Sequence, residues 1–203
     1  MQTKHRRLPW VTALVVALAV SAWIAPGVLQ EAWIYNRASI LHGEIWRLWS
    51  GHLIHFSASH LGWNLLVVGL TGIWIERAGF CGGRWLFIIS PLCISLTLLI
   101  WAPSLDRYGG LSGMATASTA FACLSEWRRN TKQAALWFTA LALVGIKIGW
   151  EFFSGHSVFA HFDERQVQAV PLSHLAGVVA AVIIWLTWPC MLKLGNKRSG
   201  GTI

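Results

Sequence analysis

Residues 110–127, GLSGMATASTAFACLSEW, form the stretch of sequence that does most to decide the fold. Small residues recur along it, and small residues let helices approach one another closely inside a membrane. Gly110 and Gly113 flank Leu111 and Ser112, and glycine permits close backbone approach and unusual dihedral angles. Ser112 would lie at a helix N-terminus, where free amides can stabilise an oxyanion. The stretch therefore fits either a catalytic serine or a helix-packing face without chemistry.

The composition around this stretch is typical of a membrane protein. Of 203 residues, 55% are hydrophobic and only 12% are charged, whereas a soluble domain has about 25% charged residues. A bilayer needs about 20 apolar residues per helix, and six segments approach this length: 8–28, 58–76, 84–103, 110–127, 134–153 and 171–192. The first could pass for a signal peptide, but its length and the following segments favour a retained helix. We predict an all-α membrane protein with six transmembrane helices.

The basic residues indicate how the helices are oriented. The net charge is +8, yet Lys and Arg do not form one patch, which argues against nucleic-acid binding. Eleven of the 16 lie at the two termini and in the alternate loops, the pattern of cytoplasmic segments. We therefore expect both termini in the cytoplasm, a single domain over residues 1–195 and a short cytoplasmic tail over residues 196–203.

The first outer loop, residues 30–59, is long and rich in Trp, Ile and Leu. Such a segment prefers the membrane interface to water, so we expect it to be partly embedded in the outer leaflet. Trp46 and Arg47 lie in this loop. Arg47 could hold the loop together through backbone carbonyls or Glu44, or it could extend its charge to the interface beside Trp46.

Polar side chains inside the apolar segments are costly, and each needs a reason. His174 begins the sixth segment and could serve as a base for a serine nucleophile or bond a neighbouring carbonyl. His60 and Asn64 share one helix face and could donate to an oxyanion or join helices. His52, His55 and His60 lack a carboxylate or Cys partner at metal-ligand spacing, and the four Cys form no CxxC pair. We expect neither a metal nor a disulfide framework.

Together these groups predict an active site. Ser112, His174 and the His60–Asn64 pair all lie near the outer ends of their predicted helices, which packing alone would not produce. No Asp lies within a segment to orient the base, which favours a Ser–His dyad over a triad. Lys147 and Glu151 are four residues apart and are expected to form a structural pair. A further titratable group follows the fifth segment, and solvated charge is its default interpretation: His156, His161, Asp163 and Glu164.

These motifs resemble the signature of the rhomboid proteases. The resemblance covers nearly the whole chain in the family's order: Trp46-Arg47, His55-Phe56, His60 with Asn64, Gly110-Leu111-Ser112-Gly113, and His174 with Gly177. It implies that Ser112 is the nucleophile and His174 the base, without a cofactor. His60, Asn64 and the amide of Ser112 would form the oxyanion hole, and His55 with the Trp-Arg pair would be structural.

A narrower resemblance is to the rhombosortases, carried by the compact chain and by WRLWSGHLIHFSASHLGWN (46–64), GLSG (110–113) and SHLAG (173–177). From the family and the topology together, we expect an enzyme of the bacterial inner membrane with its active site toward the periplasm, and we expect it to act as a monomer. Its substrates would be membrane-anchored exported proteins ending in Gly-Gly, a transmembrane helix and a basic tail, with water or a lipid amine resolving the acyl-enzyme. A general rhomboid endoprotease, an inactive client-binding relative and a small transporter remain alternatives. The intact Ser and His disfavour the second, and the lack of matching halves disfavours the third.

Overall fold

Six long helices lie at the positions of the six predicted segments in the computed structural model, which describes residues 8–158 and 170–188. In chain order the α-helices of these residues are α1 (Trp10–Ile24), α2 (Gly27–Trp33), α3 (Arg37–Leu41), α4 (Arg47–Ser50), α5 (Ala58–Ala78), α6 (Gly83–Trp101), α7 (Ser112–Arg129), α8 (Ala134–Ser154) and α9 (Pro171–Thr187). The prediction of an all-α helical bundle is confirmed. The predicted tail, together with His161, Asp163 and Glu164, lies outside the described residues.

The apolar character of the bundle is greatest on its outer helices. Helices α5 and α6 and the segment Thr131–Ser154 are long and apolar enough to cross a membrane, while α1 and α9 are shorter apolar helices. Helix α7 is different because it lies in the centre, in contact with α5, α6, α8 and α9. Most of its residues are buried against these neighbours, so α7 needs small side chains more than apolar ones.

Helices α7 and α9 cross where two glycines meet. A Cβ atom at Gly177 would collide with the carbonyl oxygen of Gly113. At Gly113 a Cβ would lie 2.8 Å from Ile94 Cδ1 and 3.0 Å from the carbonyl oxygen of Ser173. The small residues of α9 thus let it pack tightly against α7. This crossing brings the helix that begins at Ser112 against the helix that carries His174.

Arg47 holds the segment between α1 and α5 together. Its Nη1 donates to the backbone oxygens of Glu31 at 2.6 Å and Ile34 at 2.7 Å, and its Nε donates to Glu44 Oε2 at 2.6 Å. Trp46 Nε1 donates to the Ala32 oxygen at 3.1 Å. Arg47 is only 8% exposed. The prediction that Arg47 holds the loop together is confirmed, and the alternative, that it extends its charge to the membrane interface, is wrong.

A two-stranded ribbon joins this segment to the residues before α7. Strands β1 (Tyr35–Asn36) and β2 (Arg107–Tyr108) are antiparallel, with Tyr35 opposite Tyr108. Both tyrosines are buried, and their rings pack edge to face with centroids 6.2 Å apart. The ribbon holds the backbone that leads into α7 against the segment between α1 and α5.

Candidate active site

One cavity of about 1140 Å³ lies where the N-termini of α5, α7 and α9 meet. Its walls include all four residues for which the sequence predicted chemistry: Ser112, His174, His60 and Asn64. His55 also lines it, whereas Trp46 and Arg47 lie outside its wall. The volume is slightly above the ~300–1,000 Å³ typical of ligand pockets, so the cavity is large enough to hold a ligand.

Ser112 is the first residue of α7 and is only half-buried. The first amides of a helix have no partner within the helix and carry its positive dipole end. Beside Ser112 lies the phenol of Tyr108, whose pKa is raised by burial, although the hydroxyls of Ser173 and Ser112 oppose that shift. A hydroxyl at this position can therefore be reached from the cavity and faces a site that favours negative charge.

His174 lies in the first turn of α9 and is 4% exposed. Its Nδ1 lies 2.6 Å from Glu151 Oε2 and 3.3 Å from Lys147 Nζ. Lys147 also donates to Glu151 Oε1 at 2.7 Å. The predicted Lys147–Glu151 pair on α8 is thus confirmed. Both side chains of the pair also contact the imidazole of His174 on α9.

His60 and Asn64 face the loop that leads into α7. Ser57 caps α5 and accepts from the His60 amide at 3.1 Å, which places His60 in the first turn. Gly110 has φ +118°, and a Cβ there would collide with the His60 ring and lie 3.6 Å from Asn64 Nδ2. Only glycine combines this dihedral with so close an approach. Both side chains are buried, at 5% and 6% exposed.

Asn64 Nδ2 has no hydrogen-bond partner within residues 8–158 and 170–188, although it is buried. An unpaired buried donor costs about 1–3 kcal/mol and calls for an explanation. Asn64 lines the cavity, so its amide is available to an acceptor that enters with a ligand.

His55 is hydrogen-bonded to the loop that precedes Ser112. Its Nδ1 donates to the Leu53 oxygen at 3.0 Å, and its Nε2 accepts from the Leu111 amide at 3.4 Å. Both bonds can form only when the ring is neutral. The ring of His55 therefore holds Leu111, the residue before the proposed nucleophile Ser112. This contact fits the structural role that the resemblance implies for His55. His52 Nε2 is likewise engaged, at 3.0 Å from the Pro91 oxygen.

Because His52 and His55 are buried in their neutral form, we expect the folded protein to lose stability in acid. Burial lowers the pKa of His55 to about 3 and that of His52 to about 4, from an ordinary value of 6.5. The unfolded chain therefore binds more protons between pH 6.5 and 4. Each buried, neutral histidine therefore makes its full contribution to the free energy of unfolding above this pH window. That contribution is lost as the pH falls through the window, by roughly 2 kcal/mol per histidine at about pH 5.

Thermal unfolding in detergent at about pH 7.5 and about pH 5 measures this loss. His55→Gln should reduce the difference in Tm between the two conditions, because glutamine cannot take up a proton. His42→Gln is the matched control, since His42 lies on the exposed surface at the end of α3. An unchanged difference in Tm for His55→Gln would contradict the prediction.

The carboxylate beside His174 was not predicted from the sequence. No Asp lies within a predicted segment, and the spacing of Lys147 and Glu151 predicts only a pair along one helix. The absence of an Asp favoured a dyad, but the carboxylate of Glu151 reaches across from α8 to His174 Nδ1 at 2.6 Å and is itself 1% exposed. Tyr108 was also missed, since nothing in a two-residue strand distinguishes it.

The fold and the cavity define a helical membrane protein with a serine and a histidine at one internal site. Residues 42–190 match the Rhomboid domain family model. The chain belongs to the rhomboid family.

Relatives of known class agree with this assignment. Over 208 aligned positions, covering 98% of this chain and 69% of the relative, it is 24% identical to the rhomboid protease GlpG of Serratia proteamaculans (strain 568). It is also 24% identical to the rhomboid protease GlpG of Yersinia pestis (strain Pestoides F), with 82% of this chain and 53% of the relative covered. The chain thus spans about half to two thirds of the length of these relatives. These relatives are bacterial rhomboid proteases, and the apolar helices of this chain fit a multi-pass membrane protein of the same family.

Proposed function

We propose that the chain is an intramembrane serine protease in which Ser112 is the nucleophile and His174 the general base. The observation that carries the proposal is the meeting of Ser112, His174 and the unpaired amide of Asn64 at the wall of one cavity. A serine needs a base to become nucleophilic. A buried donor with no partner in the described protein is suited to a charge that exists only during the reaction.

The reaction proceeds in two halves. Ser112 Oγ attacks the scissile carbonyl while His174 takes its proton, and the carbonyl oxygen becomes an oxyanion held by His60, Asn64 and the amide of Ser112. His174 then returns the proton to the departing amine, which leaves an ester between Ser112 and the new C-terminus. Water, activated by His174, hydrolyses the ester and restores the serine.

The proposed substrates are exported proteins held in the bacterial inner membrane by a C-terminal Gly-Gly, a transmembrane helix and a basic tail. Glycine near the cleavage position would ease local unwinding of the substrate helix. This substrate class rests on the resemblance to rhombosortases, as does transfer to a lipid amine in place of water. The proposed topology has both termini in the cytoplasm and the cavity toward the periplasm, as the distribution of Lys and Arg supports.

A general rhomboid endoprotease that cleaves transmembrane helices is the second candidate. It is favoured by the named relatives, which are rhomboid proteases of the GlpG type. The two candidates share the chemistry of Ser112 and differ only in the substrate that the cavity accepts.

Intact mass spectrometry of a reporter distinguishes these candidates. The reporter ends in Gly-Gly, an apolar helix and a basic tail, and it is co-expressed with the wild-type chain or with Ser112→Ala. Loss of the tail only with the wild type supports the sorting function, and the product mass separates hydrolysis from transfer to an amine. An intact reporter, combined with cleavage of an internal transmembrane helix in a second reporter, would replace the first candidate by the second.

A further inference from the structure

Glu151 is one of only two residues of α8 that are buried, the other being Ile148. The other residues of α8 are half-buried or exposed, and the carboxylate of Glu151 makes a polar contact with a neighbouring helix. Both carboxylate oxygens have partners: Lys147 Nζ at 2.7 Å from Oε1 and His174 Nδ1 at 2.6 Å from Oε2. A Lys147–Glu151 pair would be complete without the histidine, so the contact across helices calls for its own explanation.

The chemistry of this contact fixes the protonation of the ring. A carboxylate oxygen only accepts hydrogen bonds and an ammonium only donates, so Glu151 and Lys147 make opposite demands on Nδ1. Glu151 is closer, at 2.6 Å against 3.3 Å, and Lys147 is already engaged with the other oxygen of the carboxylate. Nδ1 of His174 therefore carries the hydrogen, and in the neutral ring Nε2 has the free lone pair.

We propose that Glu151 is a positioning residue for His174, which makes the site a Ser–His–Glu arrangement held in place by Lys147. This inference rests on the proposed function. Glu151 holds the ring in the tautomer whose Nε2 can take the Ser112 proton, and its negative charge balances the imidazolium that then forms. Lys147 holds the carboxylate by its second oxygen, so that the carboxylate keeps one orientation toward α9.

The role requires a charged acceptor rather than any polar group. In Glu151→Gln the side chain keeps its size, but its NH₂ can donate to Nδ1 and favour the wrong tautomer. Loss of the orienting carboxylate in a soluble serine protease lowers kcat by about 10⁴. We expect Glu151→Gln to lower kcat by roughly 10²–10⁴ with little change in KM, and Glu151→Asp to recover part of the loss because the carboxylate is kept.

Glu126→Gln is the matched control. Glu126 is a second buried carboxylate, 3% exposed, paired with Trp74 Nε1 at 2.9 Å and Arg129 at 2.8 Å near the opposite end of α7. A purely structural role for Glu151 would make the two glutamine variants behave alike, with a lower Tm and an unchanged kcat. We expect Glu126→Gln to lower Tm alone.

Two measurements on the full chain in detergent test the inference. One is the rate of Ser112 labelling by a fluorophosphonate, and the other is the ¹⁵N-histidine NMR spectrum, with His174 assigned by His174→Gln. The inference predicts a protonated Nδ1 and a far-downfield proton that disappears in Glu151→Gln. An unprotonated Nδ1, or labelling by Glu151→Gln at the wild-type rate, would overturn it. Failure of the wild type to label at all would instead count against the proposed function, and the NMR result would still decide the tautomer.

Discussion

Replacing Ser112 by alanine is expected to abolish cleavage of any substrate that the wild-type chain cuts. Removal of the nucleophile in a soluble serine protease lowers kcat by about 10⁶, and no other group in the proposed mechanism can form the ester. Stability should hardly change, because Ser112 is half-buried and the substitution is small. Cleavage of a transmembrane reporter by purified protein in detergent measures the loss.

Ser118→Ala is the control for this variant. Ser118 lies on the same helix, is fully buried, and bonds Thr71 Oγ1 at 2.7 Å and the Ala115 oxygen at 3.0 Å. Its loss should lower Tm and leave cleavage intact. The account also predicts that His174→Ala adds little to Ser112→Ala, since residues that act as one unit are not additive. Residual cleavage by Ser112→Ala at a rate similar to that of the wild type would contradict it.

Replacing Asn64 by leucine is expected to lower kcat by about 10²–10³, the usual effect of removing one oxyanion donor. The same change should leave Tm unchanged or raise it. The reason is that Asn64 Nδ2 is buried without a partner among the described residues, so an apolar side chain of similar size removes a cost rather than a bond. Activity and stability should therefore move in different directions.

Thr71→Val, on the same helix as Asn64, is expected to change Tm and kcat in the opposite way. Thr71 Oγ1 donates to the Val67 oxygen at 2.7 Å and lies 2.7 Å from Ser118 Oγ, so its loss should lower Tm by an amount equivalent to about 1 kcal/mol and spare kcat. If Asn64→Leu lowered Tm as much as Thr71→Val and left kcat unchanged, Asn64 would be a packing residue and not an oxyanion donor.

Much of this architecture could be predicted from the sequence because its physical causes are local. Apolar length determines the six helices, and small residues at Gly113 and Gly177 mark the place where two of them can touch. Arg47 lies close in sequence to Glu44 and to the backbone carbonyls of residues 30–59, so its hydrogen-bond partners could be predicted.

The environment of His174 could not be predicted in the same way. The spacing of Lys147 and Glu151 predicts a pair within α8, but whether that pair faces lipid or α9 depends on how α8 is rotated in the bundle. That rotation is set by packing between distant segments. The pairing of Tyr35 with Tyr108 was hidden for a similar reason, since strands of two residues carry no periodicity.

If Ser112 is an activated nucleophile, a fluorophosphonate should modify it in the detergent-solubilised chain, and peptide mass spectrometry identifies the modified residue. We expect a single adduct on Ser112, and we expect it to be lost in His174→Ala, where the serine has no base. An adduct on another serine such as Ser173, or equal labelling of Ser112 with and without His174, would contradict this expectation.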